Sequence, residues 1–244
     1  MATGQTRRLR LDTLVARRWP GWDRATVDTA ISDGRIIVDG RVLSNPAAQV
    51  APGASVRFEP PADLAGRRKL AWAIERFGVD AKGRTVLDVG ASTGGFTTAW
   101  LEGGAARVYA VDVGHGQLLG SLRQDPRVVN LERTNVSELS AAIVPDAVSR
   151  VSVDVSYLSL TSAVDQIGRA QLSGDAELLG LVKPMFELQL ATIPDDGPTL
   201  VRARDRAVAG VENAGWQVVD VDECPVRGSR GAVEFVLHAA LTTR

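Results

Sequence analysis

The chain reads as an α/β protein: a Rossmann-like, mostly parallel sheet with helices on both faces, preceded by a small α+β domain. Three observations predict this. Strand-like and helix-like segments alternate from residue 69 onward, the pattern of a parallel sheet covered by crossover helices. A glycine-rich turn leaves the first of these strands and enters a helix, and an acid ends the next strand. Before residue 60 the periods are shorter, the turns are rich in Pro and Gly, and arginine is in excess.

Residues 9–34 predict two short helices. Leu9, Leu11, Leu14 and Val15 recur near helical spacing, and Pro20-Gly21 breaks the run. Asp23 is placed to cap a second helix bearing Val27, Ala30 and Ile31, which Gly34 ends. Asp39-Gly40 between two apolar runs is a hairpin signal. Residues 55–58 read as a closing strand, and Pro60-Pro61 as a linker. The expected domains are therefore 1–60, a linker at 61–68, and 69–244.

The second domain begins with a helix at 69–77 and the strand 85–89. The glycine turn, a helix at 96–102 and the strand 108–112 follow. Residues 151–154 and 178–182 read as further buried strands. Residues 202–215 form a long helix ending in glycine, and 216–221 with 233–239 read as a closing antiparallel pair.

The whole chain carries net charge −1, so no global field announces a polyanion partner. Charge is nevertheless uneven, with nine arginines against six acids in residues 1–60. Arg7, Arg8, Arg10, Arg17, Arg18 and Arg24 concentrate the excess at the start. A local basic patch is the footprint expected of phosphate contacts, although a solvated helix face gives the same pattern. One cysteine and two histidines predict neither a disulfide nor a metal site. No apolar run approaches the roughly 20 residues that span a bilayer. The expected compartment is the cytoplasm, without a membrane role.

The turn Asp88-Val89-Gly90-Ala91-Ser92-Thr93-Gly94-Gly95-Phe96 lets the backbone approach a bound cofactor. Asp112, 22 residues after Gly90, is placed to bind ribose hydroxyls of an adenosine-containing cofactor. The dinucleotide pattern G-x-G-x-x-G is absent. An acid at Asp88 suits a methyltransferase, where it can serve the amino group of the methionine moiety. A glycine turn that merely packs helix on sheet is the plain alternative. Asn135 is a candidate reader of adenine or an ordinary loop cap.

Asp154 and Lys183 both end apolar strands, at the carboxyl edge where open α/β sheets bind ligands. Glu234 begins the closing strand and Lys69 the first helix. Singly, each reads as a solvated cap; four at one edge suggest chemistry. Methylating a sugar hydroxyl requires its deprotonation, which a neutral lysine can perform. A cation such as Lys69 and desolvation favour the neutral amine of Lys183, while Asp154 and Glu234 orient the amines and limit that effect.

These residues resemble the TlyA or haemolysin-A type of ribosomal RNA methyltransferase, whose catalytic domain is of the FtsJ-like 2′-O-ribose group. The resemblance covers nearly the whole chain. It rests on Arg10-Leu11-Asp12, Gly34-Arg35-Ile36-Ile37-Val38-Asp39-Gly40 and the glycine turn. It continues through Asp112-Val113-Gly114-His115-Gly116-Gln117-Leu118, Glu132-Arg133-Thr134-Asn135 and Lys183-Pro184-Met185-Phe186-Glu187. It implies a catalytic tetrad falling on Lys69, Asp154, Lys183 and Glu234, with S-adenosylmethionine as cofactor. Asp88, Gly90, Ala91, Ser92, Gly94, Gly95, Phe96, Asp112, Val113, Asn135 and Asp154 are the expected cofactor contacts. It also implies an RNA-binding domain at 1–60, with Arg67 and Arg68 as further RNA contacts. The chain departs from the family at 64–68, at 188–193 and at Ala232, all on the substrate-facing side. Ribosomal RNA is the expected acceptor, and a small molecule or peptide is the alternative. A non-catalytic RNA-binding protein of the same fold is the third possibility.

Overall fold

The computed structural model describes residues 8–59, 64–167 and 172–242. The chain divides into two compact units, Met1–Ala62 with Leu119–Gln124, and Asp63–Leu118 with Asp125–Arg244.

In the first unit, β1 (Leu9–Arg10) leads directly into α1 (Leu11–Arg18), followed by α2 (Arg24–Ser32). The side chain of Asp23 accepts from Thr26 N at 2.7 Å, capping α2 as expected. Next come β2 (Ile36–Val38), β3 (Arg41–Val42), β4 (Gln49–Val50) and β5 (Val56–Phe58). The β2–β3 hairpin turns on Asp39 and Gly40, both at positive φ (47° and 80°), as a two-residue primed turn requires. β2 is central in a three-stranded sheet, and β1 pairs antiparallel with β4, a pairing with no local sequence signal. Leu11, Val15, Val27, Ile31, Ile36 and Val50 form the core. The short helix Gly120–Gln124 belongs to this unit, where Asp33 Oδ1 accepts from Ser121 N at 2.8 Å.

The second unit opens with α3 (Ala65–Phe77), which starts four residues before the expected Lys69. Leu64 is its N-cap, so Arg67 and Arg68 lie in its first turns rather than in a linker. Local periodicity missed this turn because its helical face packs on glycine. A Cβ on Gly66 would meet the Phe96 ring at 3.3 Å. After α3 the chain runs β6 (Thr85–Val89), α4 (Gly95–Glu102), β7 (Arg107–Asp112), α5 (Gly120–Gln124) and β8 (Val128–Glu132). It continues through β9 (Val148–Val153), α6 (Leu160–Ile167), β10 (Leu172–Val182), α7 (Pro184–Glu187), α8 (Gly197–Asn213), β11 (Trp216–Glu223) and β12 (Phe235–Leu241).

The seven strands are ordered β11-β12-β10-β9-β6-β7-β8, parallel from β10 to β8, with β12 antiparallel to both β10 and β11. Alternate strand residues face opposite sides. Asp88 and Ser152 point towards α4, whereas Leu87, Val89, Val151 and Val153 pack with Leu160, Val164, Ala207 and Val211 of α6 and α8. Helices therefore cover both faces. From β6 the chain moves outward to β7 and β8, then returns to the other side as β9. Strand order reverses between β6 and β9, the position where open α/β sheets form a ligand crevice.

Candidate active site

Two ion pairs stand at the carboxyl edge of this sheet. Lys183, the first residue beyond β10, places Nζ 2.5 Å from Asp154 Oδ1, just beyond β9. Pro184 at the first position of α7 ends the strand and fixes where that lysine leaves it. Lys183 Nζ also donates to Ser156 Oγ at 2.9 Å. The buried Asp154 Oδ1 is thus charge-paired with the lysine ammonium. The second pair joins Lys69 Nζ to Glu234 Oε2 at 2.5 Å, with both side chains almost fully enclosed.

The pairs are neighbours. Burial pushes the Cys224 thiol up, and that thiol lies within electrostatic reach of Lys69, Glu234 and Asp154. Lys183 and Glu234 line one cavity of about 610 Å³, with Met185, Phe186, Ile193 and Arg230 among its other walls. Lys69, expected beside Lys183 with Glu234 limiting its effect, is held by that carboxylate. Glu234 neutralises it at contact distance, so its field at Lys183 is that of an ion pair.

The glycine turn sits where β6 meets β9. Gly90 and Ala91 amides both donate to Val111 O, at 2.8 and 3.0 Å. Gly90 has φ +88°, and a Cβ there would fall 2.2 Å from Asp154 O. Only glycine brings the turn this close to the strand end bearing Asp154. Asp112 ties the turn to the next loop, with Oδ2 accepting from Ser92 N (2.8 Å) and Oδ1 from Gly114 N (2.7 Å). Ser92 Oγ donates to Gln117 Oε1 at 3.1 Å. Glu132 holds the same loop from below, receiving the amides of Gln117 and Leu118. Burial alone would raise its carboxyl, but bonds from Asn130 and the amides of residues 116–118 outweigh burial and bring it down to about 2. Val113 is exposed beside Asp112, and Gly94 caps α4 at φ +97°.

Three of the expected cofactor contacts have side chains engaged within the protein. Asp88 is fully enclosed, accepting from Thr97 Oγ1 and Ser152 Oγ at 2.7 Å each, and Trp100 Nε1 donates onward to Ser152. It fastens α4 and β9 to β6 and does not face the crevice. Burial, partly offset by those hydroxyl donors, pushes its carboxyl up to about 6. Phe96 is buried against Gly66 of α3. Asn135 caps the 3-10 turn Val136–Glu138 in a reciprocal arrangement with Glu138.

Of the expected RNA contacts, Arg7 lies outside the described residues. Arg8 donates to Gln49 O. Arg10 and Arg24 both reach the nearly buried Asp12, at 2.7 and 3.5 Å. Arg10, Arg17 and Arg24 line a cleft with Trp22, and Arg18 ends α1. In the second unit Arg67 is committed to Glu102 at 2.8 Å, while Arg68 is exposed. Sequence reasoning missed Ser156, Glu187 and Cys224. Nothing local marks the first or last, and Glu187 was visible only as the end of the Lys-Pro-x-Phe-Glu run. Among the described residues no helix is long and apolar enough to cross a membrane.

A glycine turn at the switch point of a seven-stranded sheet with this β11-β12-β10 edge defines a Rossmann-like methyltransferase. Residues 66–241 match the FtsJ-like methyltransferase family and residues 9–56 match the S4 domain. The chain belongs to the FtsJ-like methyltransferase family and is an enzyme of that class. It is 38% identical to the 16S/23S rRNA (cytidine-2′-O)-methyltransferase TlyA of Mycobacterium tuberculosis, over 95% of this chain and 89% of the relative. It is 30% identical to Hemolysin A of Brachyspira hyodysenteriae, over 94% and 99%. A solved structure described as a hemolysin from Streptococcus thermophilus superimposes with TM-score 0.69 at 28% identity, covering 97% of this chain and 90% of that one.

Proposed function

We propose that this enzyme methylates a ribose 2′-hydroxyl of ribosomal RNA with S-adenosylmethionine, using Lys183 as base in a tetrad with Lys69, Asp154 and Glu234. The observation that carries the reading is Lys183 Nζ, paired with Asp154 and held by Ser156 on the wall of the 610 Å³ cavity. The M. tuberculosis relative's name, which specifies a cytidine 2′-O acceptor, supports it, as does the S4 match.

The residues present fit the cofactor. Gly90 leaves no Cβ between the turn and Asp154, a cradle that any side chain at this position would fill. On this reading residues 90–95, Asp112 and Val113 hold it. When bound, it supplies a methyl group on a positively charged sulfur. Lys183 takes the proton from the attacking hydroxyl, and Asp154 stabilises the ammonium that results. Lys69 and Glu234 stiffen the adjoining wall. Alignment of hydroxyl and methyl supplies much of the remaining acceleration. Arg8, Arg10, Arg17, Arg18 and Arg24, with Arg7 and Arg68, grip the phosphate backbone. A ribosomal acceptor places the enzyme in the cytoplasm.

Incubation with methyl-labelled cofactor and ribosomal subunits tests the proposal: label should appear at a ribose 2′-oxygen and vanish with Lys183→Ala. A second reading keeps the chemistry but takes a small molecule or peptide, favoured by the apolar walls Met185, Phe186, Ile193 and Pro194. Labelled product that forms without RNA and resists ribonuclease decides for it.

A further inference from the structure

We infer that Glu187 is a positioning residue for methyl transfer, its carboxylate fastening the turn that carries Lys183 to the start of α6. The inference rests on the reading of Lys183 as base. Glu187 is 1% exposed, and both its oxygens are used within the protein. Oε2 accepts from Leu160 N at 2.9 Å and Oε1 from Thr161 Oγ1 at 2.6 Å. At the other end of the same turn, the amides of Phe186 and Glu187 both donate to Lys183 O at 2.9 Å. The turn is thus tied at one end to the lysine backbone and at the other to α6.

α6 is the helix that follows Asp154, and between them lies Ser156, which accepts from Lys183 Nζ. The contacts close a ring: from the end of β9 through Ser156 to Lys183, along α7 to Glu187, and back to Leu160. Little slack exists around it. A Cβ on Gly180 would meet Leu160 Cδ1 at 2.6 Å, and one on Gly210 would meet Thr161 Oγ1 at 2.2 Å. A lysine side chain is long and flexible, so fixing its backbone is what makes its amine reproducible in space. Glu187 is not among the residues lining the cavity, so it acts through Lys183 rather than on the acceptor.

The carboxylate suits the task because it offers two acceptors to two donors at a buried helix start. Alanine leaves both donors orphaned. Glutamine keeps an acceptor for Leu160 N, and the Thr161 hydroxyl can turn to accept from its amide.

The test compares Glu187→Ala, Glu187→Gln and Thr161→Val with wild type, measuring kcat, KM for ribosomal RNA and cofactor affinity. Glu187→Ala should lower kcat by about 10- to 100-fold, the scale of a misplaced catalytic group. Its KM and cofactor affinity should stay within about threefold, and Glu187→Gln should recover most of kcat. Thr161→Val should fall between them. Wild-type kcat in Glu187→Ala overturns the inference, as does a Gln variant no better than Ala, or equal losses in kcat and both affinities. If Glu187→Ala does not fold, Thr161→Val decides: lower kcat at unchanged affinities supports the role, and wild-type kcat overturns it. A wild-type enzyme that binds cofactor but methylates no RNA sinks the proposed function instead. The clamp is then judged on a crystal structure of Glu187→Gln beside Thr161→Val. Lys183 Nζ shifted off Ser156 only in Thr161→Val supports it, and no shift overturns it.

Discussion

Lys69 Nζ and Glu234 Oε2 lie 2.5 Å apart across 165 residues of sequence, their side chains 8% and 6% exposed. Removing one member strands a charge in a nearly enclosed position. Glu234→Ala is therefore expected to lower the free energy of unfolding by about 3–5 kcal/mol. The double variant Lys69→Met/Glu234→Leu should recover most of that. Urea unfolding checks this: single and double variants of equal stability would mean that the two charges are not coupled.

Lys183 occupies a less enclosed position, so its replacement should affect chemistry more than folding. Lys183→Ala is expected to reduce kcat by about 10²–10⁴-fold, the usual worth of a general base. Cofactor affinity should be preserved. Single-turnover methylation with calorimetric cofactor titration separates the two, and joint loss of both contradicts the assigned role.

Gly90→Ala forces a methyl group to 2.2 Å from Asp154 O at a backbone φ of +88°. The strain alone costs about 1–3 kcal/mol. Relief requires β6 and β9 to part where the crevice lies. Cofactor affinity should drop by at least about tenfold, since each 1.4 kcal/mol is a factor of ten. Equilibrium binding to a variant shown to be folded is the check.

Asp88 makes stability depend on pH. Its carboxyl is raised from 3.8 in the ordinary state to about 6 in the fold. The unfolded chain therefore ionises first, and stability falls as pH rises from about 4 to about 6. Above that the loss is constant, on the order of 2–3 kcal/mol. Asp88→Asn should remove this dependence, matching wild type near pH 4 and exceeding it at pH 7. Calorimetric melting across that range would show parallel curves if burial of the charge were of no consequence.

Arg17 and Arg24 share a cleft with Arg10 and Trp22. If this surface grips RNA phosphates, Arg17→Ala and Arg24→Ala should each weaken RNA binding regardless of sequence. Each should also reduce the slope of log affinity against log salt by about one. Cofactor affinity should not change. An unaltered slope removes these residues from the interface.

Much of the architecture was legible because it is written locally. Asp23, Asp39-Gly40 and the strand 85–89 carry their capping, turn and periodicity signals within a few residues, and the fold uses them as read. The start of α3 was not legible, because Ala65-Gly66 form a helical turn by packing against α4, not by apolar spacing. The β1–β4 pair likewise joins Leu9 to Val50 and Arg10 to Gln49, far apart in sequence, and has no local mark.

For the site, the sequence determined which side chains stand at strand ends: Asp112, Asp154 and Lys183 all project from the carboxyl edge because each ends an apolar strand of a parallel sheet. Only the tertiary structure decided what each one meets. It paired Lys183 with Asp154 and Lys69 with Glu234, buried Asp88 beneath α4, and gave Glu187 to α6. The reason is physical: turn chemistry and periodicity act over a few residues. Charge pairing and desolvation depend on distances that exist only once strands and helices far apart in the chain have packed.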